Sequence, residues 1–279
     1  MDKTIGLTPP TALTIAGTDS GGGAGIAADL RTFATCGVHG MLAVCAVTVQ
    51  NTVGVTDFHP IPPETVAAQI AAVAGDIGVG AAKTGMLASR EIIEAVAHAC
   101  DRAEIGAAGK TPLVIDPVAA SMHGDQLLAD AALDAFRTLL FPRATVVTPN
   151  LDEVRLLVQV NVQDRAAQYE AARALHALGP KYVLVKGGHM KTDEDCVDLL
   201  YDGSTFVELP GPRFDTGNTH GGGDTMAAAI ASALACGRSV PDAVAFAKRY
   251  IVRAVQHSYP LGAGHGPVSQ LWRVSDQPV

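Results

Sequence analysis

Short runs of apolar residues alternate along most of this chain with alanine-rich stretches of helical period. Runs of this length that are apolar throughout are typical of strands buried in a parallel sheet, and the alternation predicts a mainly parallel sheet with helices on both faces. The predicted strands are residues 12–16, 41–49, 81–84, 113–115, 145–147 and 182–185. The predicted helices are residues 24–36, 64–75, 89–101, 126–140, 151–158, 165–178, 224–236 and 241–259.

Residues 199–207 depart from this alternation because they resemble two short strands around Asp202-Gly203. Asp-Gly favours a two-residue hairpin turn, so this segment predicts an antiparallel hairpin at one edge of the sheet. We find no linker, low-complexity tract or internal repeat. The expectation is therefore an α/β fold with residues 1–279 in a single domain.

Composition narrows the function classes. The chain has 279 residues, of which 48% are hydrophobic and 17% charged, which favours a well-buried core over disorder. A formal net charge of -8 argues against a nucleic-acid partner, since binding phosphate backbones requires a basic surface.

The cysteines and the apolar segments bear on location. Five cysteines without a C-x-x-C pair are typical of buried thiols in a reducing compartment. The N-terminal residues show no signal-peptide pattern. The longest apolar run, residues 41–49, is about half as long as a membrane span. We expect a cytoplasmic protein that does not bind membranes.

Polar residues or glycines follow every predicted strand. Ligands of open parallel sheets bind at the carboxyl ends of the strands, where the loops converge, so these segments together predict a binding site. In chain order the segments are Gly17-Thr18-Asp19, Gln50-Asn51, Gly85-Met86, Asp116-Pro117, Pro149-Asn150 and Lys186-Gly187-Gly188-His189.

The glycine-rich segment of residues 17–25, called here the first glycine loop, does not have the G-x-G-x-x-G spacing of dinucleotide-binding folds. The chain also lacks a G-x-x-x-x-G-K-[ST] phosphate loop. The remaining functional interpretation is close approach of the loop backbone to a flat substrate, with Asp29 reaching toward it from the next helix. The alternative is a simple turn.

Gln50, Asn150 and Glu153 each allow two interpretations. The amide of Gln50 offers a donor and an acceptor that match a heteroaromatic ring with an amino group, or it satisfies neighbouring backbone. Asn150 and Glu153 match a helix capping box, while Glu153 and Asp116 are carboxylates of the kind that hold hydrated Mg²⁺. Lys186 is a candidate phosphate donor.

Residues 215–225 contain a glycine run that ends in Asp224, before a helix rich in small residues. Glycines can curl around an anion, and a helix N-terminus attracts one. Asp224 is then placed as a base for the group that accepts a phosphoryl group. The structural alternative is that Asp224 or Thr225 only caps the helix.

These motifs resemble the ribokinase-like superfamily and, within it, the hydroxymethylpyrimidine and phosphomethylpyrimidine kinases of thiamine biosynthesis. The resemblance runs in family order from residue 12 to residue 268. It rests on Ala12-Leu13-Thr14-Ile15-Ala16-Gly17-Thr18-Asp19, Gly22-Gly23-Ala24-Gly25-Ile26, Ala28-Asp29-Leu30, Val49-Gln50-Asn51-Thr52, Lys83-Thr84-Gly85-Met86-Leu87, Asp116-Pro117-Val118, Thr148-Pro149-Asn150-Leu151, Lys186-Gly187-Gly188-His189, Asn218-Thr219-His220-Gly221 and Gly264-His265-Gly266-Pro267-Val268.

The resemblance implies a kinase that uses ATP and Mg²⁺ to phosphorylate 4-amino-5-hydroxymethyl-2-methylpyrimidine and then its monophosphate. A homodimer is the assembly it implies. Its site residues carry over as substrate contacts, an anion hole with its base Asp224, and the N-x-x-E motif that serves magnesium and phosphate. The substrate contacts are Gln50, Gly17, Ala24, Asp29 and Met86; the anion hole is Gly221, Gly222 and Gly223; and the N-x-x-E residues are Asn150 and Glu153.

Two departures from the subfamily pattern keep other functions open. Many members have cysteine where this chain has Asp224, and this aspartate agrees with sugar and pyridoxal kinases. Met122-His123-Gly124 replace a common Lys-Ser-Gly, which removes a cation near the phosphates. A pyridoxal or pyridoxine kinase of the same fold and a non-catalytic pyrimidine-binding protein are the alternatives.

Overall fold

The computed structural model describes residues 8–119, 129–188, 190 and 195–274. Nine strands form one sheet in the order β3-β2-β1-β4-β5-β6-β7-β8-β9. The strands from β2 to β7 in this order pair in parallel, whereas β3 at one edge and β8 and β9 at the other pair antiparallel. The bounds are β1 Thr11–Gly17, β2 His39–Gln50, β3 Val55–Pro60, β4 Ala81–Thr84, β5 Leu113–Ile115, β6 Val146–Val147, β7 Tyr182–Val185, β8 Asp198–Tyr201 and β9 Phe206–Leu209.

Eight α-helices connect or follow these strands in the described part of the chain. They are α1 Gly25–Thr35, α2 Pro63–Asp76, α3 Arg90–Arg102, α4 Asp130–Ala135, α5 Leu151–Val158, α6 Arg165–His176, α7 Gly222–Ala235 and α8 Val240–Gln256. A π-helical turn, Phe136–Leu140, follows α4 directly. Within the described ranges, no helix combines the length and the apolar character that a membrane crossing requires.

Each face of the sheet carries its own hydrophobic core. On one face, α2 to α6 contribute residues such as Ile70, Ile93 and Leu175 to a cluster with inward-facing strand residues. On the other face, α7 packs on the sheet and against helices α1 and α8, with Ile230 fully buried. Because both faces are covered, the central parallel strands are mostly apolar, and most polar groups collect at their ends.

The predicted architecture is confirmed: a mainly parallel sheet, helices on both faces and the antiparallel hairpin of β8 and β9. The prediction missed β3, which makes the opposite edge antiparallel as well. All six residues of β3 are exposed, so the strand lacks the apolar pattern used to find strands, and its pairing with β2 through a turn at Asn51 defines it. In the predicted helix 126–140, residues up to 128 lie outside the described part.

Candidate functional site

The predicted site segments meet at the carboxyl ends of the parallel strands. Gly17 at the end of β1 contacts Met86 after β4: its N–H donates to the Met86 carbonyl at 3.0 Å, and a Cβ at Gly17 would lie 3.4 Å from the Met86 sulfur. The structure thus brings Gly17 and Met86 together although 69 positions separate them. The two residues therefore pack directly against each other at this end of the sheet.

Asp19 organises the first glycine loop. Its carboxylate accepts backbone N–H groups of Gly21, Gly23 and Ala24 at 2.8, 3.0 and 2.9 Å. Asp19 Oδ2 also lies 2.8 Å from His220 Nε2. Burial raises the pKa of Asp19, but these hydrogen bonds and the neighbouring imidazole outweigh it and hold the pKa below its usual value.

Gln50 ends β2 next to this pair. Its backbone is fixed by Ser20, whose hydroxyl accepts the Gln50 N–H at 2.8 Å and donates to its carbonyl at 2.6 Å. The side-chain nitrogen Nε2 lies 3.5 Å from His220 Nε2. The structure therefore places the Gln50 amide beside the first glycine loop and His220.

The start of α7 lies against the first glycine loop. Gly221 caps the helix with a left-handed backbone, φ 74°, and a Cβ there would collide with the Gly23 carbonyl oxygen and lie 3.2 Å from Ala24 Cα. The Gly222 N–H donates to Thr219 at 3.1 Å. The Thr225 N–H donates to the Gly221 carbonyl at 2.9 Å. The N–H groups of Gly223 and Asp224 between them belong to the first turn, whose donors a helix leaves open to an anion.

Asp224, in the first turn of α7, pairs with Lys83 of β4. Its Oδ1 lies 3.0 Å from Lys83 Nζ, and the Gly25 N–H also donates to the carboxylate. Burial raises the pKa of Asp224, but the charge and hydrogen bond of Lys83, the Gly25 N–H and the nearby His220 together outweigh it, so the pKa lies below its usual value. An ionised carboxylate at this place can accept a proton from a bound hydroxyl.

Asp29 lies beneath Asp224 and is fully buried. Both of its oxygens are 2.8 Å from Lys83 Nζ, and the Thr14 hydroxyl donates to Oδ2 at 2.6 Å. Burial raises the pKa of Asp29 to about 7, against the pull of Lys83. The structure thus turns the Asp29 carboxylate toward Lys83 and Thr14.

Lys186 and Asp116 lie on the other side of the α7 start. Lys186 Nζ is 2.8 Å from Asp116 Oδ1, which also accepts the Thr148 hydroxyl at 2.8 Å. A Cβ on Gly223 would lie 3.2 Å from both Asp116 Oδ2 and Lys186 Nζ, so the glycine lets the helix start contact this pair closely. Burial lowers the pKa of Lys186, but its carboxylate neighbours raise it to a net value above the usual one.

Asn150 and Glu153 form a capping box at the start of α5. Asn150 Oδ1 accepts the Glu153 N–H at 2.9 Å, and Glu153 Oε2 accepts the Asn150 N–H at 2.8 Å. The structural interpretation of this motif is therefore present in the fold. Burial raises the pKa of Glu153 to about 8 although Lys186 lowers it, so a cation close by would favour the ionised form.

The sequence patterns assigned no individual role to Lys83, Asp19 or His220. A signal for Lys83 was present, because a lysine inside the fully buried strand Ala81–Thr84 must find carboxylate partners. The contact of Asp19 with His220 joins residues 201 positions apart, and no local pattern announces it. His189 and the segment Met122-His123-Gly124 lie outside the described residues.

Comparison with known proteins gives one consistent family. The model of the family described as phosphomethylpyrimidine kinase matches residues 19–269. A hydroxymethylpyrimidine/phosphomethylpyrimidine kinase of Mycobacterium tuberculosis is 59% identical over 270 residues, which is 97% of each chain.

Solved structures agree in fold. The Bacillus subtilis pyridoxal kinase, in a complex with ADP, superimposes with a TM-score of 0.88 and is 39% identical, covering 96% of this chain and 100% of that one. A phosphomethylpyrimidine kinase of Clostridium difficile gives a TM-score of 0.77 and 35% identity over 88% of this chain and 99% of that one. These similarities confirm the ribokinase-like architecture that the motifs imply.

Proposed function

This chain belongs to the phosphomethylpyrimidine kinase family, and we propose that it transfers the terminal phosphoryl group of ATP to 4-amino-5-hydroxymethyl-2-methylpyrimidine and then to the resulting monophosphate. The first transfer is to the hydroxymethyl oxygen and the second to the phosphate of the monophosphate. The product is the pyrimidine diphosphate used in thiamine biosynthesis. An ADP complex of a relative 39% identical to this chain supports ATP as the donor.

The single observation that carries the proposal is the start of α7. There Asp224 lies beside the helix N–H groups, while Lys186 and Asp116 contact Gly223 from the other side. A base and an anion site are therefore next to each other, as transfer from a phosphate to a hydroxyl requires. Asp224 accepts the hydroxymethyl proton, and the N–H groups around Gly223 stabilise charge on the phosphoryl group in flight.

A weak base is sufficient for this reaction. The lowered pKa of Asp224 makes it less basic than a free aspartate. The transition state of phosphoryl transfer is loose and demands little early deprotonation, so positioning and electrostatics supply most of the rate. The carboxylate chiefly orients the hydroxyl and accepts its proton late.

The neighbouring loops supply the substrate contacts in this proposal. We assign the ring to Gly17, Ala24 and Met86, which are small or flexible residues: Gly17 and Met86 contact each other, and Ala24 lies against the start of α7. The Gln50 amide can bond an amino group and a ring nitrogen of the pyrimidine with one planar group. Asp29 does not contact the ring in this proposal, because its carboxylate is buried against Lys83. It acts on Asp224 through Lys83.

Asp116 and Glu153 suit a magnesium ion that keeps its water shell. Carboxylate oxygens are the ligands Mg²⁺ prefers, but Asp116 Oδ1 is engaged by Lys186 and Glu153 by the Asn150 N–H. Within the described ranges, no cluster of three histidine, cysteine or acidic side chains could hold a metal directly. Contact through water is therefore the mode that fits, and the ion would offset phosphate charge when bound.

The test is ATP turnover with the purified chain and the pyrimidine alcohol. We expect release of ADP that depends on the pyrimidine, with monophosphate and then diphosphate as products. ATP turnover without any dependence on the pyrimidine would contradict the proposal.

Pyridoxal phosphorylation is the second candidate, favoured by the superposition on a pyridoxal kinase and by the aspartate at residue 224. Both substrates are flat rings with a hydroxymethyl arm. Competition between the two in one reaction decides the preference. The pyrimidine monophosphate is the sharper probe, since only the thiamine enzyme adds a second phosphoryl group.

A homodimer in the cytoplasm completes the proposal. The edge formed by β2 and β3 exposes Val47 and Val49 on one face and Phe58 on the other, and a second copy that packs around this edge would cover these apolar side chains. Sedimentation of Val49→Lys with Phe58→Lys should give a monomer, while Val207→Lys at the opposite edge keeps the dimer. A wild-type monomer would refute the assembly.

The five cysteines are free, in keeping with a reducing compartment.

A further inference from the structure

Lys83 is fully buried although it lies next to the candidate site. It lies within β4, where all four residues are buried, and the side chains of Lys83 and Asp29 have 0% exposure. Asp224 alone of this group reaches the open side, with 16% of its side chain exposed. Lys83 cannot contact a substrate except through Asp224.

We propose that Lys83 and Asp29 are positioning residues that fix the orientation and the negative charge of Asp224. This inference rests on the proposed function, since it gives Asp224 the role of base. It assigns no substrate contact to either residue. The pair Lys83 and Asp29 is called the clamp below.

The hydrogen-bond count of the lysine supports the clamp. An ammonium group has three N–H donors. Two of them point at the two oxygens of Asp29, each at 2.8 Å, and the third points at Asp224 Oδ1 at 3.0 Å. The Thr14 hydroxyl also holds the Asp29 carboxylate in place, at 2.6 Å. Because Asp29 in turn fixes two N–H donors of Lys83, the third donor is directed at Asp224.

The clamp also keeps the Asp224 carboxylate ionised. A carboxylate beside a triphosphate is repelled by it, and repulsion of this kind raises a carboxyl pKa. Lys83 opposes this and keeps the pKa of Asp224 low. The charged groups that face Asp224 or Lys83 from the surrounding elements are Asp29, Asp116, Lys186 and His220.

Removing the whole clamp tests its role without leaving the enclosed Asp29 as a second carboxylate that has lost its cation. The variant Lys83→Met with Asp29→Asn removes one positive and one negative charge, and the amide can still bond Thr14. The matched control is Lys110→Met with Glu104→Gln, an exposed ion pair with N and O 3.1 Å apart. Thermal unfolding establishes that each variant is folded.

We expect the clamp variant to lose about 10–100-fold in kcat, the scale that misplacement of a reacting group costs, with little change in KM for the pyrimidine alcohol. Without Lys83 the pKa of Asp224 rises. The base is ionised only above its pKa, so the acidic limb of the kcat profile moves to higher pH. The control variant should match the wild type in kcat and in pH profile.

A cycle with Asp224→Asn separates positioning from a general structural effect. If the clamp acts through Asp224, adding its removal to Asp224→Asn lowers kcat no further, because coupled residues are non-additive. An equal fold loss in both backgrounds would overturn the inference, as would a folded clamp variant with the wild-type kcat and pH profile. A wild-type chain without pyrimidine-dependent turnover would instead refute the proposed function.

Asp29→Asn alone covers the case in which the double variant does not fold. It keeps Lys83 and nearly the same shape but weakens the anchor. We expect a several-fold loss in kcat that disappears in the Asp224→Asn background. Wild-type kcat in Asp29→Asn would also overturn the inference.

Discussion

Lys83 and Lys186 are two lysines near the carboxyl ends of parallel strands, and each has a carboxylate oxygen at 2.8 Å. They differ in surroundings. Lys83 has 0% side-chain exposure and three carboxylate oxygens around it, whereas Lys186 has 13% exposure and pairs with Asp116 beside Gly223. The buried Lys83 can interact only with the carboxylates of Asp29 and Asp224. The partly exposed Lys186 can replace its contact with Asp116 by a contact with a bound phosphate.

The largest effect should come from the carboxylate that Lys83 holds. Asp224→Asn removes the proton acceptor but keeps the shape, so we expect kcat to fall by about 10²–10⁴-fold. Binding of the pyrimidine alcohol, measured by titration calorimetry, should hardly change. Turnover close to that of the wild type would remove Asp224 from the mechanism.

Stability should separate the two lysines next. Lys83→Met leaves Asp29 and Asp224 buried without their cation, which we expect to cost about 3–5 kcal/mol in the free energy of unfolding. Lys186→Met should cost less, since its cluster is closer to solvent. Urea unfolding of both variants checks the order, and equal losses would contradict the difference in enclosure.

Affinity for ATP should depend more on Lys186 than on Lys83, the reverse of the order expected for stability. A charge-assisted hydrogen bond contributes about 1.5–3 kcal/mol, so Lys186→Met should weaken ATP binding by roughly 10–100-fold. The clamp variant keeps Lys186 and should bind ATP as the wild type does. Binding of a non-hydrolysable ATP analogue measures both, and an unchanged affinity in Lys186→Met would argue against a phosphate contact.

The effect least tied to the chemistry concerns Gly221, the glycine at which the chain turns into α7. Gly221→Ala puts a side chain on a left-handed backbone, which costs about 1–2 kcal/mol before any collision with Gly23. Gly217→Ala is the matched control, because a Cβ there meets nothing within 4 Å. The free energy of unfolding and kcat should both fall in Gly221→Ala and stay near the wild-type values in Gly217→Ala. Equal values in the two variants would contradict a tight turn at Gly221.

Much of the fold follows from local pattern. The strand of residues 113–115 was predicted with the observed bounds because its apolar run is short and complete. The capping box of Asn150 and Glu153 is also local, and so is the Asp-Gly hairpin between β8 and β9. β3 escaped prediction because its residues are polar or exposed and only pairing with β2 makes it a strand.

The candidate site divides in the same way. Motif resemblance selected Asp224, Gly221 and Lys186, which lie at strand ends or a helix start. The link from Lys83 to Asp29 joins residues 54 positions apart and the link to Asp224 joins residues 141 apart, so neither follows from spacing. Only the register of β1 and β4, with α1 and α7 packed on one face, brings these three side chains together.

The most direct measurement is identification of the product by phosphorus NMR after incubation with ATP, Mg²⁺ and the pyrimidine alcohol, for the wild type and Asp224→Asn in parallel. The account predicts pyrimidine diphosphate from the wild type and almost no phosphorylated pyrimidine from the variant in the same time. No phosphorylated pyrimidine from the wild type, or equal product from both, would contradict it.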